Sequence, residues 1–205
     1  MTDAKLYVEG GSVGADSKEI QARCREGFKK LLLKIGLTNR LPRIIACGSR
    51  NEAYDSFKTE HLAGKMAYVA LLVDSEALTI NGENPWGHLK IRDDWNCPTG
   101  ATDDQVFLMT TCMETWIIAD KDGLSRFYEK YKKCLRSGGL PSTVNLEAKD
   151  SHVVQNALLA ATQDCSNAYM KNKRSLEALA TVDPAVLQSL LPAFARMERI
   201  LKNKL

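Results

Sequence analysis

Residues 66–76 read MAYVALLVDSE: an unbroken run of eight apolar residues, Met66 through Val73, ended by Asp74-Ser75-Glu76. A run apolar on both faces suits a strand buried in a sheet that is covered on both sides. It falls well short of the roughly 18 residues of a membrane span. Upstream, residues 5–8 (KLYV) form a short β-rich run ended by Glu9-Gly10-Gly11, and residues 42–46 (PRIIA) a second one ended by Cys47-Gly48-Ser49-Arg50. Between them Ile20, Cys24, Phe28, Leu31, Leu32 and Ile35 recur at helical spacing, with Asp16-Ser17 placed to cap that helix. Ala53, Tyr54 and Phe57 mark a shorter helix before the 66–73 run. Strand, helix, strand, helix, strand predicts an α/β fold: a central, mostly parallel sheet flanked by helices. The C-terminal strand ends then share one rim, where open parallel sheets bind ligands.

Downstream, residues 77–105 hold Gly82, Pro85, Gly87, Pro98 and Gly100 and read as a loop insertion. Residues 106–109 (VFLM) are the expected fourth strand. Residues 114–119 (ETWIIA) begin a helix that continues, with a break, through Phe127 and Tyr131. Gly138-Gly139-Leu140-Pro141 is the best internal boundary. It divides an α/β domain, 1–137, from a helical C-terminal extension, 138–205, packed on it. Helices are expected there over 152–162, 176–180, 185–190 and 193–205.

The chain has 205 residues, 44% hydrophobic and 26% charged, with a net charge of +3. Such a composition excludes disorder over most of the length. The small basic excess carries no nucleic-acid footprint of its own. The start, Met1-Thr2-Asp3-Ala4-Lys5, lacks the pattern of a signal peptide, so a cytoplasmic location is expected, with no membrane. The six cysteines, at 24, 47, 97, 112, 134 and 165, form no C-x-x-C pair and read as reduced thiols. Cys47, in IIACG, reads as core.

The strand ends carry acids: Glu9 after the first, Asp74 and Glu76 after the third, and Glu114 beyond the fourth. In extended backbone, Asp74 and Glu76 point to the same face. Carboxylates held that close repel each other unless a cation sits between them, and a hard ion, Mg²⁺ or Mn²⁺, suits oxygen ligands. Singly, each acid reads as a solvated strand end; their common rim is what favours a metal site. Glu114 lies among apolar residues in MTTCMETWIIAD, where an acid needs a partner or a metal, or serves as a first-turn helix carboxylate.

Among the other polar residues, Lys18 early in the first helix and Arg50 after the second strand are candidate phosphate ligands, with a solvated cationic face the plain reading for Arg23. His88 reads as a structural hydrogen-bond partner ahead of an acid or base. Trp86 and Trp95 either stack bases or pin the 77–105 segment to the sheet. Ser49 lacks the partners of a hydrolase nucleophile, and the Gly10-Gly11-x-x-Gly14 loop fits neither a dinucleotide fingerprint nor a P-loop.

Glu9-Gly10 after the first strand and D74-S75-E76 after the third resemble the Toprim pattern of topoisomerases, primases and old-type nucleases, with Glu76 where that pattern has a second Asp. More closely, YVEGG, PRIIACGSRNEAYDSF, LLVDSE, PWGHL with RDDW, TDDQVFLMTTCMETWIIAD and AYMKNKRSLEAL resemble a bacterial family catalogued as domain of unknown function 4276, related to RloB-like Toprim proteins. This resemblance covers nearly the whole chain. It implies a Toprim-like fold and Mg²⁺ or Mn²⁺ held by Glu9, Asp74, Glu76 and Glu114. It also implies basic positions at Lys149, Lys171 and Lys173, where a lysine near the metals would stabilise charge on the scissile phosphate. The function implied is a metal-dependent nuclease, cleaving DNA or tRNA-like RNA as the effector subunit of an antiphage defence system. Nucleic acid and an ATPase protein are the expected partners, with a homodimer left open. Two alternatives stand beside it: a catalytically degenerate regulatory or recognition subunit bound to an ATPase, and a small-molecule phosphotransfer enzyme on the same fold.

Overall fold

The computed structural model describes residues 3–10, 17–79, 84–130 and 132–205. Four parallel strands form its sheet: β1 (Ala4–Glu9), β2 (Arg43–Cys47), β3 (Tyr68–Asp74) and β4 (Val106–Met109), in the order β2-β1-β3-β4. The fold is therefore the α/β architecture that the apolar runs imply. Alternate strand residues feed two cores. Leu6, Val8, Ala70, Leu72, Phe107 and Met109 face one side; Tyr7, Val69, Leu71, Val73, Val106 and Leu108 face the other.

On the first side lies α1 (Ser17–Lys34), burying Ile20, Cys24, Phe28, Leu31 and Leu32. Its expected cap at Asp16, like Gly11 and Gly14, lies outside the described residues. On the second side lies α2 (Arg50–Ala63). Ser49 caps it, accepting a hydrogen bond from the Glu52 N–H at 3.2 Å, while the Glu52 carboxylate accepts from the Ser49 N–H at 2.7 Å. A Cβ on Gly48 would collide with Glu52 Oε2, so this capping box needs glycine there. The serine that could pass for a nucleophile is thus a helix cap.

The segment read as a loop insertion contains a helix, α3 (Pro85–Asp93). Asn84 caps it, Pro85 occupies its first turn, and Trp86, His88 and Leu89 bury against α2 and the sheet. Nine residues with an internal glycine give too little periodicity to stand out from flanking prolines and glycines.

After β4 come α4 (Met113–Ala119) and α5 (Lys121–Tyr128), broken at Asp120. The buried Asp120 carboxylate ends one helix and caps the next, accepting from the Gly123 N–H at 2.9 Å and the Asp183 N–H at 2.8 Å. The later helices are α6 (Ser151–Thr162), α7 (Arg174–Leu179), α8 (Pro184–Leu190) and α9 (Pro192–Lys204). They share the first core with the sheet. Trp116 of α4 is its hub, edge-on to Phe194 of α9 at 5.0 Å and to Phe28 of α1 at 6.4 Å. Arg196 of α9 donates to the backbone carbonyls of Asp103 and Val106 at the start of β4.

Cys134 and Cys165 form a disulfide, which corrects the reading of all six cysteines as reduced thiols. Their 31-residue separation follows no local pattern; packing of α6 beside the segment after α5 brings them together. Cys24, Cys47 and Cys112 are free and buried, and Cys97 is free and exposed.

The α9 N-terminus rests on Glu147, whose carboxylate accepts from the Ala193 N–H at 3.1 Å. Burial pushes the Glu147 carboxyl up to about 7, with that hydrogen bond opposing. A carboxyl raised on folding contributes stability that is present below its unfolded value and lost as pH rises through its folded value. Glu147→Gln is expected to gain stability on the parent as pH climbs from about 4.5 to 7. After solvent screening of a half-buried group the gain is about 1–2 kcal/mol. Urea melts of both proteins across that range check it.

Candidate metal centre

The strand order β2-β1-β3-β4 reverses direction between β1 and β3: the chain steps from β1 outward to β2, then back past β1 to β3. At such a switch point the loops leaving adjacent strands diverge and open a crevice at the carboxyl ends. Glu9 is the last residue of β1 and Asp74 the last of β3. The topology thus delivers both acids to the mouth of this crevice. Glu76 follows two residues later with φ of 60°, a backbone conformation that non-glycine residues enter at a cost, fixed by a 2.8 Å hydrogen bond from its N–H to the Thr111 carbonyl. Carboxylate oxygens of Glu9, Asp74 and Glu76 all lie within 4.8 Å of one another.

Glu114 stands beside this trio rather than within it. It occupies the first turn of α4, 1% exposed, and accepts a hydrogen bond from the Tyr169 hydroxyl at 2.9 Å. The same helix end donates the Met113 N–H to Asp74 Oδ1 at 2.9 Å. Burial pushes the Asp74 carboxyl well above its ordinary range, and the charges of Glu9, Glu114 and Glu76 push it further, against a smaller opposing pull from Lys171. Glu9 is also raised, by burial first and by Glu76, with Arg50 and the Asp74 N–H working against the shift.

Arg50, a candidate phosphate ligand in the sequence, reaches this rim with its guanidinium engaged by protein partners. Its Nε and Nη2 fork onto Asp93 at 3.0 and 2.7 Å, and Nη1 donates to Glu9 at 3.2 Å and to the Asp74 carbonyl. Its guanidinium also lies 5.0 Å from the centre of the Trp95 ring, which stacks on Tyr54 at 4.4 Å. Arg50 is a clamp that binds α3 to the ends of β1 and β3. The two tryptophans pin the 77–105 segment: Trp95 in this stack, Trp86 through its indole N–H to the Thr102 carbonyl at 3.1 Å. Both are buried, so neither offers a face to a base. His88 is the structural partner expected of it, buried with Nε2 at 3.0 Å from the Ser75 carbonyl.

Of the basic residues, Lys171 is exposed and near enough to Asp74 to act on its charge. Lys149 is exposed, and its carbonyl accepts from the Thr111 hydroxyl at 2.7 Å. Lys18 is exposed in the first turn of α1. Arg23 pairs with Glu19 and Glu177. Sequence reading did not single out Asp93, Arg92 or Tyr169. Arg92 lies 3.8 Å from Glu76 and contacts Asp93.

The donor set fits a hard divalent cation. Its atoms are carboxylate oxygens, the ligands Mg²⁺ and Mn²⁺ prefer. Arg50 pairs with Glu9 and Asp93, and Arg92 with Glu76 and Asp93, while hydrogen bonds from the Met113 N–H and the Tyr169 hydroxyl orient Asp74 and Glu114. Among the described residues, no helix is long and apolar enough to cross a membrane.

Compared with known proteins, residues 14–202 match the family model described as Domain of unknown function (DUF4276). No curated protein and no solved structure matches the chain.

Proposed function

The chain belongs to the DUF4276 family, and from the centre its fold builds we propose that it is a metal-dependent nuclease of Toprim type. The observation that carries this reading is the convergence of Glu9, Asp74 and Glu76 within 4.8 Å at the sheet's switch point, around a buried Asp74 short of counter-charge. The resemblance of Glu9-Gly10 and Asp74-Ser75-Glu76 to the Toprim pattern, with Glu76 in place of its second Asp, supports the reading.

In this reading Glu9, Asp74 and Glu76 hold Mg²⁺ or Mn²⁺, with Glu114 adjoining. The ion would supply an activated water and neutralise charge on a phosphodiester. Arg50 and the Met113 N–H fix the orientation of Glu9 and Asp74, so that these side chains need little rearrangement on binding. Lys171, exposed beside Asp74, faces the developing negative charge of the phosphate. The modest net charge of +3 suits a subunit that draws part of its nucleic-acid affinity from a partner, for which an ATPase of a defence system is the candidate.

One observation favours a second reading, a degenerate centre serving recognition alone. Arg50 already lies 3.2 Å from Glu9 and takes part of a cation's role. Cleavage assays separate the two. Supercoiled DNA, single-stranded DNA and total tRNA are incubated with Mg²⁺ or Mn²⁺, with and without the ATPase encoded beside the gene, if there is one. Cleavage that needs the ion and falls to background in Glu9→Ala and Asp74→Asn supports the nuclease. No cleavage in any arm by a protein that still binds its partner supports the degenerate subunit.

A further inference from the structure

Between α6 and α7 the chain reaches Glu114 through Tyr169, and it is fastened at short intervals. Cys165 is bonded to Cys134, and its N–H donates to the Thr162 carbonyl at 2.9 Å. Asn167 Nδ2 donates to the Phe127 carbonyl at 3.1 Å. The Tyr169 N–H donates to the Thr162 hydroxyl at 2.9 Å, and that hydroxyl in turn donates to the Leu158 carbonyl at 2.9 Å. A side chain on backbone held this firmly has a fixed aim. That of Tyr169 ends with its hydroxyl 2.9 Å from Glu114 Oε1.

Glu114 is 1% exposed, so no bulk water shares the work of orienting its carboxylate. The Tyr169 hydroxyl acts there as the donor. A second phenol, Tyr128, is buried close enough to feel the Glu114 charge, yet among the described residues its hydroxyl has no hydrogen-bond partner. Two phenols thus approach one carboxylate, and only one of them bonds to it.

We propose that Tyr169 is a positioning residue of the metal centre: its hydroxyl fixes the rotamer of Glu114 and so sets the affinity of the carboxylate cluster for a divalent cation. This rests on the reading of Glu9, Asp74 and Glu76 as a cation site, and it adds the C-terminal helical part as the element that completes that site. Glu114 adjoins the ligand trio on the helix end whose Met113 N–H holds Asp74, and partners that order the shell around a metal's ligands typically contribute 10–100-fold to its affinity.

The test is Mn²⁺ binding to the full chain, followed by titration calorimetry and by the paramagnetic resonance signal of free Mn²⁺. Tyr169→Phe keeps the ring and removes the hydroxyl; it is expected to weaken Mn²⁺ binding about 10-fold or more. Tyr128→Phe, which deletes a buried hydroxyl that makes no hydrogen bond to Glu114, is expected to leave the affinity unchanged. In a Glu114→Gln background the Tyr169→Phe effect is expected to vanish, because the two act through one contact. A purely structural role for Tyr169 would lower stability in both backgrounds and leave affinity alone. Wild-type affinity in Tyr169→Phe, with binding lost in Asp74→Asn, overturns the positioning role and leaves the cation site standing. Absence of Mn²⁺ binding by the wild type overturns both.

Discussion

Asp74→Asn is expected to produce two opposite effects in one protein: loss of divalent-cation binding, and a more stable metal-free fold. The wild type should gain about 2.7 kcal/mol at an ion concentration a hundred times its Kd. The variant should gain nothing. Without metal the order reverses. The Asp74 carboxyl is buried among Glu9, Glu76 and Glu114, and its raised protonation range records the cost of ionising it there. Asparagine keeps the oxygen that accepts the Met113 N–H and offers an NH₂ to the neighbouring carboxylates. Hydrogen bonds to charged groups are worth about 1.5–3 kcal/mol each, which sets the expected gain. The pH dependence follows the same sign. With folded-state protonation of Asp74 and Glu9 raised, wild-type stability is highest below the unfolded carboxylate range and falls as pH rises through the folded values. Mn²⁺ should remove most of that fall, and Asp74→Asn should flatten it. Thermal melts between pH 4 and pH 8, with and without Mn²⁺, measure all of this. A variant that is less stable than the wild type without metal and still responds to Mn²⁺ would refute the assignment of Asp74.

Arg50→Ala is expected to cost about 3–5 kcal/mol, the penalty for removing one member of a buried charge pair. The Arg50 and Asp93 side chains are only 12% and 11% exposed. Deleting the guanidinium leaves Asp93 with only the more exposed Arg92 and takes from Glu9 the cation that opposes its burial. Arg50→Lys should restore only part of the loss, since an ammonium cannot fork onto Asp93 while also bonding to Glu9 and lying on Trp95. Added Mg²⁺ should return some stability to Arg50→Ala by supplying the missing positive charge. Urea unfolding of the three proteins gives the answer. A loss below about 1 kcal/mol would mean that the clamp behaves as a solvated surface pair.

The eight apolar residues before Asp74 were enough to place β3 inside a parallel sheet, because a strand buried on both faces has no solvent side to alternate with. Once β1 and β3 are parallel, Glu9 and Asp74 have to emerge on one rim. The acidic part of the site is therefore legible from sequence. What completes it is not. Arg50 reads as a free cation until its partner Asp93 is known, and Asp93 lies 43 positions away at the end of a helix too short to announce itself. Tyr169 meets Glu114 across 55 positions, through packing of α6 and α7 onto α4. Periodicity reports what a residue does within its own element. Pairings between elements are set by tertiary packing, which leaves no local pattern in the chain.

The pieces of the centre are spread along the chain in an order with a consequence for synthesis. Glu9 leaves the ribosome first, then Arg50, Asp74, Asp93 and Glu114, with Tyr169 and Lys171 last. The carboxylates and their clamp are thus made long before the tyrosine that bonds to Glu114 and the lysine that acts on Asp74. A nascent or truncated chain that stops short of residue 169 carries the acids without either.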